Sequence, residues 1–317
     1  MKLLVTCPPM LGMKDQFIPQ LEALGIEAYC PDVVQTLSVE ELIDLVPNYD
    51  GWIIGDDPAT REVFEAGLKG KLKAAVKWGI GVDNVDLAAC KDLGIPIINT
   101  PNMFGAEVAD VAMGYIIGLA RETFYIDRMV REGRWPKNRG ISLQNKTVGL
   151  VGYGDIGQNT EVRVAAAGMN VIAYDPAFSG LDDTSKCSFV AWPQRLNECD
   201  FVVFTCSLNE ANHHMLNQET LGLCMSGVRI VNVARGPLID ESALLEALSS
   251  GHVHSAALDV FEQEPLSEQS GLRDYPLCIF GSHNGSNSED AVIRTNNRAI
   301  AELCNFLGVD LPSSDES

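Results

Sequence analysis

A glycine-rich segment near the middle of the chain reads Lys146-Thr-Val-Gly-Leu-Val-Gly-Tyr-Gly-Asp-Ile-Gly157. Its glycines at Gly152, Gly154 and Gly157 have the spacing G-x-G-x-x-G and follow an apolar run that is typical of a buried strand. In such a strand–turn–helix unit, the first glycine makes the tight turn, the second lets backbone approach a pyrophosphate, and the third lets the helix pack on the strand. The helix N-terminus then offers N–H groups to the anion. The segment therefore predicts a dinucleotide-binding turn.

An acidic residue follows at the distance that this fold requires. Asp175 comes 18 residues after Gly157, at the end of the predicted strand Asn170–Tyr174. A carboxylate at that place accepts hydrogen bonds from the adenosine ribose hydroxyls and would repel the 2′-phosphate of NADP. No Arg or Lys stands at positions 176–178 to compensate. The sequence therefore predicts NAD as the cofactor, bound by the three glycines, Asp155, Ile156 and Asp175.

On both sides of the turn, short β-rich runs alternate with helical segments, which is typical of α/β folds with parallel sheets. The first series of predicted strands is Leu3–Cys7, Gly51–Ile54, Leu72–Val76 and Ile95–Ile98. The second series is Thr147–Val151, Asn170–Tyr174, Phe201–Thr205, Arg229–Val233, His254–Leu258 and Leu277–Phe280. Six strands are the number expected of a complete dinucleotide-binding sheet.

Helix signals lie between these strands. Ser38 and Glu41 have the spacing of a capping box, and Thr60 is placed to cap the helix that runs through Phe64. Residues 106–130 read as one helix with many small residues, which would let it pack closely against another element.

Composition limits the classes of protein that the chain can belong to. Its 317 residues suit two domains, and 46% hydrophobic against 21% charged residues can bury a large core. The formal net charge of −20 disfavours nucleic acid and anionic membranes as partners, and no apolar run reaches the roughly 20 residues that span a bilayer. Nine scattered cysteines without a C-x-x-C motif predict a cytoplasmic protein with neither a disulfide framework nor a metal site. The adjacent His213 and His214 are expected to point in different directions, as solvated or structural residues.

Seven motifs in this order resemble the D-isomer-specific 2-hydroxyacid dehydrogenases, in particular the phosphoglycerate dehydrogenase branch without a regulatory domain. They are Lys77-Trp-Gly-Ile-Gly-Val-Asp-Asn-Val-Asp86, Asn99-Thr-Pro101, Gly133-Arg-Trp135, the turn at 149–157, Val231-Asn-Val-Ala-Arg-Gly236, Asp259-Val-Phe-Glu-Gln-Glu-Pro265 and His283-Asn-Gly-Ser286. The resemblance implies an α/β fold with two doubly wound parallel-sheet domains. A flavodoxin-like substrate domain is expected from residues 1–100 and 286–317, with an NAD-binding Rossmann domain, residues 101–285, inserted into it.

The resemblance also implies a catalytic set of Arg235, Glu264 and His283. Hydride transfer at a 2-hydroxy acid needs a cation for the carboxylate and a proton acceptor at the hydroxyl. Arg235 follows a predicted strand, and its planar fork can bind a carboxylate and polarise a carbonyl together. His283 lies in a turn rich in Gly, Ser and Asn, and Glu264 would orient its ring and stabilise its charged form.

Further site residues are expected on other loops. Those expected at the cofactor, besides the turn and Asp175, are Cys206, Ser207, Val233, Ala234, Asp259 and Gly285. Those expected at the substrate carboxylate are Lys77, Gly79, Ile80 and Gly81, where successive backbone N–H groups would form an anion-binding nest. The expected substrate is a small anionic 2-hydroxy or 2-oxo acid.

The substrate itself stays open at this point. D-3-phosphoglycerate is one candidate, but Gly55-Asp56-Asp57 follows a predicted strand without a basic residue to bind a second anion, where some phosphoglycerate enzymes have Arg. A formate- or phosphite-type dehydrogenase is an alternative, although formate enzymes of the family pair the histidine with Gln and this chain has Glu264. A further alternative is a non-enzymatic protein that senses NAD and resembles a corepressor. A homodimer is expected through the cofactor domain, because Trp135 resembles a family residue that reaches towards the partner subunit.

Overall fold

The computed structural model describes residues 1–178 and 187–311 of the chain. These residues form two compact units. The first unit comprises Met1–Met103 and Asn287–Ser317, and the second comprises Phe104–Ser286.

Both units are built from parallel strands and helices that alternate along the chain. The strands are β1 (Lys2–Val5), β2 (Glu27–Tyr29), β3 (Gly51–Ile54), β4 (Ala74–Lys77), β5 (Ile97–Asn99), β6 (Thr147–Val151), β7 (Asn170–Tyr174), β8 (Cys187–Phe189), β9 (Phe201–Phe204), β10 (Val228–Asn232), β11 (Val253–Leu258) and β12 (Ile279–Phe280). The α-helices are α1 (Pro8–Leu11), α2 (Lys14–Ala23), α3 (Val39–Leu45), α4 (Arg61–Lys69), α5 (Leu87–Leu93), α6 (Gly105–Arg121), α7 (Thr123–Arg131), α8 (Asp155–Ala166), α9 (Gln218–Leu223), α10 (Glu241–Ser249) and α11 (Glu289–Leu307).

The first unit contains a five-stranded sheet in the order β2-β1-β3-β4-β5, with every pair parallel. This is the flavodoxin-like strand order. Helix α11 returns from the end of the chain to pack on β3 and β4, and the indole N–H of Trp78 donates to Asn296 Oδ1 on that helix at 2.8 Å. Buried Trp52 and Phe64 pack with ring centroids 6.0 Å apart. The predicted flavodoxin-like fold of this part is confirmed.

The second unit contains a seven-stranded parallel sheet in the order β12-β11-β10-β9-β6-β7-β8. Read from β8, this is the Rossmann order with one additional strand, and β6 lies where the strand order reverses. Ligands of such sheets bind outside the carboxyl ends of the strands at that reversal, and the glycine-rich turn directly follows β6. The predicted Rossmann fold is confirmed.

Three predictions of local structure need correction. The short edge strands β2 and β8 are absent from the predicted set. The predicted helix 106–130 is two helices, because Glu122 adopts a left-handed conformation with φ 56° between α6 and α7. Thr60 does precede α4, but its side chain makes no capping hydrogen bond. The capping box of Ser38 and Glu41 is confirmed at the start of α3.

No helix within residues 1–178 and 187–311 combines the length and the apolar character needed to cross a membrane.

Candidate active site

The three glycines of the turn after β6 meet different surroundings. A Cβ on Gly152, whose φ is +96°, would lie 2.6 Å from the backbone N of Cys206. A Cβ on Gly157 would lie 2.2 Å from the carbonyl O of Gly152, whereas a Cβ on Gly154 would meet nothing within 4 Å. Close packing therefore requires the outer two glycines, and the middle one faces open space. This is the arrangement that a pyrophosphate on the N-terminus of α8 needs.

Asp175 ends β7 beside this turn. The Tyr153 N–H donates to Asp175 Oδ2 at 2.7 Å, and the Ala177 N–H donates to Asp175 Oδ1 at 2.9 Å. Backbone donors thus fix the carboxylate against the glycine-rich turn, at the end of the second strand of the β-α-β unit, where such folds have the acid that faces the ribose. The acid and the turn, which the sequence predicted together, lie together.

Asp155 is the first residue of α8, and its side chain contacts another helix. A Cβ on Gly105, at the start of α6, would lie 2.2 Å from Asp155 Oδ1. Asp155 Oδ2 is buried and has no hydrogen-bond partner among the described residues. Any contact of Asp155 with the cofactor is therefore expected through its backbone at the helix N-terminus, where Ile156 follows as the second residue of α8.

The loop after β9 packs on the turn through Cys206. Burial, and secondarily the charge of Asp175, raises the pKa of the Cys206 thiol to about 12, so that the thiol stays protonated at neutral pH. The next carbonyl oxygen, that of Ser207, accepts from Asn212 Nδ2 at 2.7 Å. This loop closes one side of the glycine-rich turn.

Arg235, Asp259 and His283 follow three neighbouring strands, β10, β11 and β12. Because carboxyl ends of parallel strands meet at one edge of a sheet, the three residues lie at the same edge. Arg235 Nη1 donates to the Ala234 carbonyl O at 2.8 Å, and Ala234 N donates to Asn232 Oδ1 at 3.0 Å. The side chains of Asn232 and Arg235 therefore hold the backbone around Ala234.

The side chains of His283 and Glu264 are in direct contact. His283 Nδ1 lies 2.8 Å from Glu264 Oε2, with side-chain exposures of 22% and 21%. Glu264 Oε1 accepts from the Phe261 N–H at 3.0 Å, which fixes the carboxylate. The histidine has a positive φ of 54°. A ring oriented by a carboxylate on Nδ1 is suited to exchange a proton through Nε2.

Asp259 holds the turn that carries His283. The Asp259 carbonyl O accepts from the His283 N–H at 2.7 Å, and its Oδ2 accepts from the Gly285 N–H at 2.8 Å. Its Oδ1 accepts from the hydroxyl of Tyr115 on α6 at 3.2 Å. Burial and the Asp259 carboxylate raise the pKa of Tyr115, so that the phenol remains a donor. Sequence reasoning missed Tyr115, because only the fold brings α6 under this turn.

In the first unit, the loop at 79–81 rests on an ion pair whose lysine is buried. Lys77 ends β4, its side chain is 3% exposed, and its Nζ donates to Asp56 Oδ1 at 3.1 Å and to the Trp78 carbonyl O at 3.0 Å. A Cβ on Gly79 would lie 3.6 Å from Lys77 Nζ, and the Gly79 N–H donates to Thr100 Oγ1 at 2.8 Å. One N–H of the predicted nest is thus occupied within the chain, and the lysine is beneath the loop.

The expectation that the side chains of the adjacent histidines point in different directions was wrong. The rings of His213 and His214 stack with centroids 4.0 Å apart, and His214 Nε2 lies 2.8 Å from Glu262 Oε1. His214 has φ 51°, and this left-handed conformation turns its side chain back over its neighbour. Over residues 1–178 and 187–311, no three His, Cys, Asp or Glu residues group as metal ligands.

Comparison with known proteins identifies the family. A sequence model described as "D-isomer specific 2-hydroxyacid dehydrogenase, NAD binding domain" matches residues 113–285. The chain belongs to this family. It is 35% identical to the hydroxypyruvate reductase of Thermotoga maritima over 278 residues, which cover 86% of this chain and 90% of that protein. It is 34% identical to the D-3-phosphoglycerate dehydrogenase of Methanocaldococcus jannaschii, covering 92% of this chain but only 54% of that one.

A solved structure agrees over the whole length. The TT0316 protein from Thermus thermophilus superposes with a TM-score of 0.85 at 30% identity, covering 99% of both chains. The chain spans about half the length of the phosphoglycerate dehydrogenases that it matches, such as the 54% above. Membership confirms the predicted NAD cofactor and the predicted class, an NAD-dependent oxidoreductase of the D-2-hydroxyacid dehydrogenase family.

Proposed function

We propose that this dehydrogenase interconverts a small, non-phosphorylated 2-oxo acid and its D-2-hydroxy acid, with Arg235, Glu264 and His283 as the catalytic set. The 2.8 Å contact between His283 Nδ1 and Glu264 Oε2 is the observation that carries this proposal. An imidazole oriented by a carboxylate at the edge of a dinucleotide-binding sheet is the arrangement that reversible proton transfer to a carbonyl oxygen requires.

The three catalytic residues then have different roles. His283 Nε2 donates a proton to the carbonyl oxygen during reduction and takes it back during oxidation. Glu264 orients the ring and stabilises the imidazolium. Arg235 binds the substrate carboxylate and polarises the carbonyl through its planar fork. The bound nicotinamide cofactor supplies or accepts the hydride at C2.

The second unit is proposed as the cofactor domain and the first as the substrate domain. In the second, Gly152, Gly154 and Gly157 with the N-terminus of α8 hold the pyrophosphate, and Asp175 accepts from the ribose. The residues proposed to border the cofactor further along are Cys206, Ser207, Val233, Ala234, Asp259 and Gly285. In the first, the N–H groups of Ile80 and Gly81 bind the substrate carboxylate, and Lys77 supplies positive charge from below.

The substrate class follows from Asp56. Its carboxylate lies 3.1 Å from Lys77 and its side chain is 36% exposed, so the loop has a negative group at its border. A second anionic group on the substrate, such as a phosphate, would be repelled there, whereas a hydroxyl or a methyl group would not. The proposal therefore favours acids such as hydroxypyruvate, glyoxylate or pyruvate over phosphohydroxypyruvate.

A panel of 2-oxo acids tests the function. NADH oxidation is followed by its absorbance with glyoxylate, pyruvate, hydroxypyruvate and phosphohydroxypyruvate. We expect kcat/KM for the best unphosphorylated acid to exceed that for the phosphorylated one by about tenfold, because Asp56 is partly exposed and Lys77 balances part of its charge. Asp56→Asn should narrow this ratio. A wild-type enzyme that prefers the phosphorylated acid contradicts the proposed substrate class.

The same assay separates the alternatives. A formate- or phosphite-type enzyme would reduce NAD with those anions and leave the 2-oxo acids unchanged, and Glu264 in place of Gln argues against the formate alternative. A corepressor-like NAD sensor would bind NAD without turnover of any acid in the panel.

We further propose a cytoplasmic homodimer that assembles through the second unit. Trp135 is 74% exposed, and Phe124 and Ile117 are 44% and 41% exposed on the neighbouring helices. Buried free thiols such as Cys199, Cys224 and Cys278 suit a reducing compartment. Light scattering at micromolar concentration is expected to give twice the chain mass of 34.4 kDa, and a monomer mass would contradict the dimer.

A further inference from the structure

Hydrogen bonds join three segments of the second unit next to the loop that carries Glu264. Glu241 is the first residue of α10 and forms reciprocal hydrogen bonds with Glu262. The Glu241 N–H donates to Glu262 Oε1 at 3.1 Å, and the Glu262 N–H donates to Glu241 Oε1 at 2.8 Å. His214 joins the same carboxylate, with its Nε2 2.8 Å from Glu262 Oε1. The side chains of Glu241 and His214, from two other segments, therefore hold Glu262 in place.

Glu264 is two residues further along the same loop. Its Oε1 accepts from the Phe261 N–H, and its Oε2 contacts His283. The loop has little space to shift, because a Cβ on Gly236 would lie 1.9 Å from the carbonyl carbon of Phe261. The backbone of residues 261–264 is thus held by Gly236 on one side and by the Glu241 carboxylate on another, and Glu264 projects from it.

Three carboxylates are concentrated in this region. Burial raises the pKa of Glu241, and the charges of Glu262 and Glu264 raise it further, while the hydrogen bond from the Glu262 amide opposes them. The electrostatic contact with Glu264 means that the charge of Glu241 acts on the catalytic pair. The other charged or titratable groups around it are Asp240 at the cap of α10, Arg235 before that helix, His214 on Glu262, and His283 on Glu264.

We propose that Glu241 is a positioning residue for the Glu264–His283 pair, acting through its hydrogen bond to Glu262 and through its negative charge. This proposal rests on the proposed roles of Glu264 and His283. The hydrogen bond fixes the loop from which Glu264 reaches the imidazole, and the charge favours the imidazolium form of His283 over the neutral ring. Glu241 itself contacts neither substrate nor cofactor in this scheme.

Two substitutions separate the two contributions. Glu241→Gln keeps an oxygen that can accept from the Glu262 N–H but removes the charge, whereas Glu241→Ala removes both. Glu246→Gln is the matched control, since it makes the same change on an exposed face of the same helix. The full-length enzyme, saturated with NAD, is assayed in the direction of hydroxy-acid oxidation from pH 5 to pH 10, and the Kd for NAD is measured for each variant.

For Glu241→Ala we expect kcat to fall about tenfold, within the range that misplacement of a catalytic group produces, while the Kd for NAD stays unchanged. Glu241→Gln should recover most of this kcat. In both variants the acidic limb of kcat/KM should move to lower pH by about half a unit, because a neighbouring negative charge no longer favours imidazolium. Glu246→Gln should leave kcat and the limb at wild-type values.

An acidic limb at the wild-type pH in Glu241→Gln would overturn the proposal, and so would a kcat loss in Glu241→Ala that Gln does not recover. If Glu241→Ala does not fold, Glu241→Gln alone decides. The underlying roles are tested separately by His283→Asn. Full activity in that variant would contradict the proposed function, whereas an inactive His283→Asn with wild-type pH profiles in the Glu241 variants would contradict only this inference.

Discussion

The loops at the strand ends of the two units are held by different means. In the second unit, the turn with His283 is held by side chains from distant segments: Glu264 binds the imidazole, and Asp259 binds the Gly285 N–H and the Tyr115 hydroxyl. In the first unit, the loop at Gly79–Gly81 is held by neutral side chains above Lys77: Thr100 Oγ1 accepts from the Gly79 N–H, and Asn99 Nδ2 donates to the Ile80 carbonyl O.

This difference corresponds to what each loop must do. Proton transfer requires one ring nitrogen in one orientation, which side-chain hydrogen bonds can fix. Binding of a carboxylate requires only N–H groups and positive potential, which a glycine loop over a cation can supply. Substitutions in the second unit should therefore change kcat, and substitutions in the first should change KM.

The largest effect is expected from removing the imidazole. His283→Asn keeps a residue that tolerates the positive φ of 54°, so that the turn is retained. Turnover should fall by about 10²–10⁴-fold, the usual contribution of general acid–base catalysis. NAD titration should give an unchanged Kd. His252→Asn is the matched control and should keep wild-type kcat. Retention of more than about a third of kcat by His283→Asn would contradict the assignment.

A second prediction concerns the cofactor end of the same unit, where the carboxylate is held by backbone rather than by side chains. Asp175 lies against the glycine-rich turn and should accept from the ribose of NAD and repel the phosphate of NADP. We expect kcat/KM to favour NAD by about 10²-fold or more. Asp175→Ala should reduce this ratio mainly by lowering kcat/KM for NAD, and an added Pro176→Arg should raise kcat/KM for NADP. Equal use of both cofactors by the wild type would contradict this role.

The position of the glycine-rich turn and of the following acid in the fold could be predicted from a local pattern. The glycines at 152, 154 and 157 and the acid at 175 belong to one β-α-β unit, so their spacing along the chain determines their spacing in the structure. The regular β strands also have continuous apolar runs. The two strands that were missed, Glu27–Tyr29 and Cys187–Phe189, are three-residue edge strands with partly exposed side chains, and they lack such a run.

The contacts that hold the site could not be predicted in this way. Tyr115 precedes Asp259 by 144 residues, and Glu241 precedes Glu262 by 21. Nothing local distinguishes a tyrosine on a small-residue helix, or an acid in the first turn of a helix, from a solvated residue. Glu122 also carries no glycine or proline signal, although the chain bends there with φ 56°. Such features depend on packing between segments that are distant in sequence.

A substitution in the first unit tests the expectation that this unit affects KM more than kcat. Lys77→Met removes the buried ammonium and leaves Asp56 beside the loop. KM for the 2-oxo acid should rise about tenfold, equivalent to about 1.4 kcal/mol, with a smaller change in kcat. Lys73→Met is the control, because it breaks an ion pair with Asp50 in which the lysine is 62% exposed. A Lys77→Met variant with lowered kcat and unchanged KM would reverse the distinction between the units.

A smaller effect is expected at Tyr115. Tyr115→Phe removes only the hydroxyl that donates to Asp259. Loss of a donor to a carboxylate should lower the free energy of unfolding by about 1 kcal/mol and kcat by about threefold, since the turn of His283 loses one support. Urea unfolding and steady-state kinetics measure the two quantities. Tyr275→Phe, whose hydroxyl lies 3.4 Å from a backbone oxygen, is the control. Equal losses of kcat and of the free energy of unfolding in the two variants would show that the hydrogen bond from Tyr115 to Asp259 does not support the turn of His283.

The smallest effect concerns a histidine of the second unit that lies outside the site. Burial lowers the pKa of His254, and the charge of Arg229 lowers it further, while Glu122 opposes them. Folding therefore favours the neutral ring. This contribution to stability is fully present above the ordinary histidine pKa of about 6.5 and is lost as pH falls from there through the lower pKa of the folded state. Urea midpoints at pH 7.5 and pH 5.5 should differ more for the wild type than for His254→Gln, because all other titrating groups are common to both. Since His254 does not belong to the catalytic set, kcat of His254→Gln at pH 7.5 should equal that of the wild type. A pH-dependent difference in midpoint that is the same in both proteins would mean that His254 is not held neutral by the fold.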